Sequence, residues 1–228
     1  MCAGVRAPQV LLAASLALAS ACTGGNIAPS HVQLIAASSK QGGLALSDAL
    51  EVLIAEGKDT AADREYAYQQ IKTLEENSAA YAFARAAVTG RLVQQKGLLA
   101  ANLVDEVERF ALRSRELDPN FRDGAATRML GTLYVIAPAS LLRHGDSERG
   151  LELLEQQVKA WPHVVENHLR LAEAYVALGD ASPAKPHLCR CLAQKLALRR
   201  DDQALLAQLV LDAGDLSCPA APSATPLP

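Results

Sequence analysis

Cys189-Arg190-Cys191, with His187 just upstream, offers two thiols and an imidazole, which are good ligands for zinc or copper. Helical spacing argues against a shared ion, because residues two apart on a helix point about 200 degrees apart and the sulfurs diverge unless the helix breaks. Cys191 falls at a packing position and reads as a buried thiol. In an oxidising compartment, one of the two can instead pair with Cys218 and staple the tail to the last helices. His163 and His168 are five apart, which is not the i, i+4 spacing of a helical zinc pair, and no glutamate follows either in an H-E-x-x-H frame. No metal or other cofactor is expected. The chain also lacks a G-x-S-x-G nucleophile turn, a phosphate-cradling glycine loop and a framed pair of acids, so an enzyme is not expected.

Recognition by side chains on helices remains. Arg128 and Thr132 in one helix, and Glu166, Arg170 and Glu173 in another, carry mixed charge along a single face and suit an extended or helical partner by complementarity. Arg85 stands among Ala82, Phe83, Ala84, Ala86 and Ala87, where a guanidinium either snorkels to solvent or meets an acidic group. A plain solvated face is the alternative for each of these six.

Cys22 ends the run Leu18-Ala19-Ser20-Ala21-Cys22, which resembles a bacterial lipobox: small residues let a peptidase close on the backbone, and the thiol takes a diacylglyceryl group. The preceding apolar stretch, Val10 to Ala19, follows one positive charge at Arg6 and is too short to span a bilayer, so residues 1–21 read as an export leader. The alternative is a plain secretory leader cut at the same place. Thr23, where an aspartate would retain a Gram-negative lipoprotein at the inner membrane, points to the periplasmic face of the outer membrane. Residues 22–44 then serve as lipidated N-terminus and polar tether.

Half of the 228 residues are hydrophobic and only 4% aromatic; so much alanine and leucine favours packed helices over sheets. Without Arg6 the mature chain carries 21 basic against 25 acidic groups and shows no basic stripe, so nucleic acid is not an expected partner.

Apolar residues recur at helical spacing through residues 45–214, and the pattern repeats. In the clearest unit, Leu171, Ala172 and Tyr175 form the inner face of a first helix, Gly179-Asp180 turns the chain, Ser182 caps, and small Ala184 lets a second helix approach. One unit earlier, Leu130, Gly131 and Tyr134 are followed by Gly145-Asp146, Gly150 and Leu154. That unit spans 41 residues from Gly124 to Val164. It exceeds the ~34-residue tetratricopeptide period by a segment at Ala137 to His144, where Pro138 stops the first helix. Weaker units precede it, and Arg200 to Ala213 reads as a capping helix. The predicted architecture is an all-α, tetratricopeptide-like helical repeat solenoid of about four helix pairs plus that cap. Residues 215–228 are predicted to be a proline-rich tail that does not fold.

The stretch Leu117-Asp-Pro-Asn-Phe-Arg-Asp-Gly-Ala-Ala-Thr-Arg-Met-Leu-Gly-Thr-Leu-Tyr-Val-Ile-Ala-Pro, with Gly145-Asp146 and Glu166-Asn-His-Leu-Arg-Leu-Ala-Glu-Ala-Tyr175, resembles the T-component lipoproteins of tripartite ATP-independent periplasmic (TRAP) transporters. The resemblance implies a periplasmic helper that docks a solute-binding protein and offers a ligand path along its concave side. The leading expectation is therefore a lipid-anchored adaptor with a protein partner. A binder of a hydrophobic or carboxylate small molecule near Pro138 to His144 is the second expectation, and an envelope structural or assembly protein the third.

Overall fold

The helix starts are set by short polar residues. Thr60 accepts a hydrogen bond from the Asp63 amide while Asp63 accepts from the Thr60 amide, a reciprocal capping box. Ser78 and Asp146 cap in the same manner through the amides of Tyr81 and Arg149. The computed structural model describes residues 28–40 and 42–218. Cys22, the leader and residues 219–228 lie outside the described residues.

Every regular element among the described residues is helical. The α-helices are α1 (Val32–Lys40), α2 (Gly42–Ala55), α3 (Ala61–Ile71), α4 (Ala79–Lys96), α5 (Val104–Leu117), α6 (Ala125–Ile136), α7 (Ser147–Ala160), α8 (Val165–Ala177), α9 (Ala181–Ala193) and α10 (Arg200–Asp212). Short 3-10 turns at Gly97–Leu103, Ala139–Leu141 and Lys195–Ala197 join them. The all-α expectation holds. None of these helices is long and apolar enough to cross a membrane.

Three boundaries differ from expectation. The tether predicted to reach residue 44 ends earlier, because Leu34 and Ala37, three apart, give α1 a buried edge that packs on α2. The tail predicted to begin at 215 is held as far as Cys218: Leu216 packs against the α8, α9 and α10 core, and Cys218 is disulfide-bonded to Cys189. Asp180, not Ser182, caps α9 by accepting from the Ser182 amide, and the helix then runs unbroken through Pro186. Cys191 is the buried free thiol that its packing position suggested.

α4 and α5, α6 and α7, and α8 and α9 form antiparallel hairpins, each packed on the next. The α6–α7 pair approaches closely at Gly131 and Gly150: a Cβ on Gly150 would lie 2.8 Å from the Gly131 carbonyl oxygen. Four apolar clusters run through the molecule, from Leu46, Leu50 and Ile71 at the N-terminal end to Leu188, Leu198 and Leu206 at the C-terminal end. The row of helices does not stay open. α10 returns to α2, where Arg199 pairs with Glu51 and Arg200 reaches the Glu56 carbonyl, 148 and 144 residues away in sequence.

Candidate functional site

With α10 brought back to α2, the row of helices curves around a half-open cavity of about 760 Å3. α2, α4, α6 and α8 line it with one face each, together with the start of α5 and of α10, while α3, α7 and α9 stand behind. On α6 the lining residues are Ala125, Arg128, Met129, Thr132, Leu133 and Ile136, one stripe of a helix at spacings of three and four. That stripe runs from a charged end to an apolar one. Met129 and Leu133 share an apolar cluster with Val93 of α4, and Ile136 and Leu98 also line the cavity, whereas Phe83 stands at the other end against Phe121 and Arg122.

Ion pairs organise the charged end. Arg91 spans Glu51 with two bonds of 2.7 and 2.6 Å and reaches Asp201 at 3.0 Å. Burial disfavours charge on both Arg91 and Glu51, but their mutual bond outweighs it, so the guanidinium pKa is raised and the carboxyl pKa lowered. Arg199 binds Glu51 and Asp202; Arg170 binds Glu173 at 2.9 Å and also Asp202. Arg122 grips Asp48 through both nitrogens at 2.7 and 2.6 Å. It does so from a turn in which Arg122, Asp123 and Gly124 all have left-handed φ, of 49, 55 and 72 degrees, strain of the kind that clusters at ligand sites.

Arg128 is different. It lines the cavity among these pairs, yet no carboxylate among the described residues forms an ion pair with it. Its Nη1 donates to Asn167 Oδ1 at 2.8 Å, and fully buried Asn167 is itself fixed by donating to the Trp161 carbonyl at 3.1 Å. Desolvation pulls the Arg128 pKa below its ordinary value. Thr132 donates to the Arg128 carbonyl at 3.0 Å, and Glu166, beside Asn167 on α8, lines the same cavity near enough to act electrostatically on Arg128, with neither a side-chain hydrogen bond nor an ion pair among the described residues.

Five of the six residues singled out in the sequence, Arg128, Thr132, Glu166, Arg170 and Glu173, therefore meet in one cavity. Arg85 does not line it. Its helix face packs on α5, the residue is 9% exposed, and its guanidinium is bonded to Glu106 at 2.6 Å and stacked over Phe110. The acidic group that Arg85 needs comes from the neighbouring helix. Pro138 and Leu141 line the cavity's apolar end, whereas His144 lies in a separate outer cleft with Arg109 and Arg113. Glu51, Arg91, Arg122, Arg199 and Asp202 were missed, since their partners come from helices far apart in sequence, brought together by helix packing and by the return of α10 to α2.

His168 and His187 form a pair behind the cavity wall. The Pro162 carbonyl accepts from His168 Nε2 at 2.9 Å, which leaves His168 Nδ1 to accept from His187 Nδ1 at 2.9 Å. Burial lowers both pKa values from the ordinary 6.5. A group with depressed folded pKa stabilises the fold above the unfolded value and loses that contribution as pH falls through the folded one. The melting temperature is expected to drop as pH is lowered from 6.5, before the carboxylates titrate, and a His187→Asn variant is expected to flatten that drop in a calorimetric pH series. Among the described residues no three His, Cys, Asp or Glu side chains are placed to hold a metal ion.

No family model matches the chain, and no curated protein is significantly similar to it.

Proposed function

We propose that this chain is a lipid-anchored binding protein, a tetratricopeptide-like ring tethered through Cys22 at the periplasmic face of the outer membrane, that holds an amphipathic small molecule. The supporting observation is the cavity: about 760 Å3, walled by Val93, Leu98, Leu133 and Ile136 over its apolar part and by a fixed cluster of charges over the rest. Ligand pockets are concave, largely apolar and carry a few fixed polar groups, and volumes of about 300 to 1,000 Å3 are typical. An interior of this kind suits retention of a molecule better than turnover of one.

Ala87 lies on the same stripe of α4 as Phe83 and Gly90 and points into the space. Ala87→Trp is expected to fill it and to weaken uptake of a fluorescent fatty-acyl probe by more than about tenfold, with little change in melting temperature because the cavity has room for the ring. Probe binding that Ala87→Trp leaves unchanged would rule out the cavity as the site.

A second reading, an adaptor that docks a TRAP-type solute-binding protein, is favoured by Leu98 and Leu99. These neighbours are 86% and 90% exposed at the rim, and Leu98 also borders the cavity. On that reading the partner covers the leucines and passes its ligand inward. Replacing both leucines by aspartate is expected to abolish co-purification with such a partner while leaving probe uptake intact.

A further inference from the structure

The cavity's charged end specifies more than an amphipathic ligand. Resting on the cavity reading above, we infer that the ligand head is a zwitterion, with an anionic group on Arg128 and a cationic group on Glu166.

Four of the five arginines at this end already hold carboxylates. Arg128 uses one of its five N–H donors, on Asn167, and no other acceptor is bonded to it. Asn167 is fully buried and clamped to the Trp161 carbonyl, so the guanidinium is held in place rather than left to swing. It stays desolvated, with the Glu166 and Asp202 carboxylates near enough to act on it but not bonded to it, an arrangement that leaves its remaining N–H donors open to a paired contact with a ligand carboxylate or phosphate. Glu166 faces the same space without a bonded cation.

Charge balance then selects the ligand. A simple anion would answer Arg128 and leave Glu166 beside a new negative charge; a simple cation would do the reverse. A head carrying both signs satisfies both groups without changing the charge of the site. Thr132, one turn on from Arg128, adds a hydroxyl able to accept from an ammonium. From Arg128 to Ile136 the α6 stripe extends about 12 Å at 1.5 Å per residue, along which an apolar tail lies over Met129, Leu133 and Ile136. An amino acid with a long apolar side chain and a single-chain zwitterionic lipid share this chemistry.

The test is calorimetric titration of the purified full chain with probes of one tail length: α-aminododecanoate, dodecylphosphocholine, dodecanoate, dodecylammonium and dodecanol. One of the two zwitterions is expected to bind at least about tenfold more tightly than the anion, the cation or the alcohol. Which zwitterion leads decides between an amino acid and a lipid source. Glu166→Gln, a near-isosteric change, is expected to hand the preference to dodecanoate, and Arg128→Met to dodecylammonium. Equal binding of all five probes, or dodecanoate tightest in the unaltered chain, would overturn the zwitterion while leaving the cavity reading in place. Binding of none would overturn both.

Discussion

Glu108→Ala is expected to lower stability by about 3 kcal/mol, because it removes a buried carboxylate that holds two loop amides and a buried tyrosine hydroxyl at once. Glu108 is 0% exposed and accepts from the amides of Arg143 and His144, each at 2.8 Å. It also holds the Tyr134 hydroxyl, whose pKa burial and this carboxylate together push up to about 12. The segment it fixes is the long connection between α6 and α7, which carries Pro138 and Leu141 into the cavity wall. Equilibrium denaturation should show the loss, and hydrogen exchange should show the Arg143 and His144 amides unprotected before the rest of the chain. Glu108→Gln keeps one acceptor and turns an amine toward the other amide, so it is expected to fall between the two.

Glu51→Ala is expected to be as damaging, at about 3 kcal/mol, but for a different reason. It removes the carboxylate shared by Arg91 and Arg199 and with it the only α2 group in this network among the described residues, leaving the two guanidiniums to share Asp201 and Asp202 of α10. The hairpins α4–α5, α6–α7 and α8–α9 keep their own cores and should stay folded. The ring should open. Faster exchange confined to α10 and the end of α2, with loss of probe uptake, is the expected pattern; uniform destabilisation with uptake intact would mean that closure does not depend on this contact.

Much of this was legible in the sequence because it is local. Leu171, Ala172 and Tyr175, and Leu130, Gly131 and Tyr134, announce first helices at spacings that one turn of helix dictates, and Gly179 marks the turn with a φ of 84 degrees. The same periodicity puts Arg128 and Thr132 on one stripe, so the inward faces of α6 and α8 were readable without coordinates. What was not readable is non-local. Arg199 and Glu51 are 148 residues apart, and no spacing rule links them. Nor does the position of Arg85 in an alanine-rich helix reveal that Glu106, 21 residues on, faces it from the next helix. The N-terminal boundary was placed too late because α1 is short and its Leu34 gains burial only once α2 is present. An open groove was predicted where the chain curves around a half-open cavity, since whether a row of helices curls onto itself rests on small rotations summed over every pair.

Native mass spectrometry of the full chain, purified in mild detergent, probes the claim of an occupied interior most directly. A single small-molecule adduct that survives desolvation in the unaltered protein and is missing from Ala87→Trp is the expected result. A bare mass in the unaltered protein, or an adduct of equal abundance in Ala87→Trp, would contradict it.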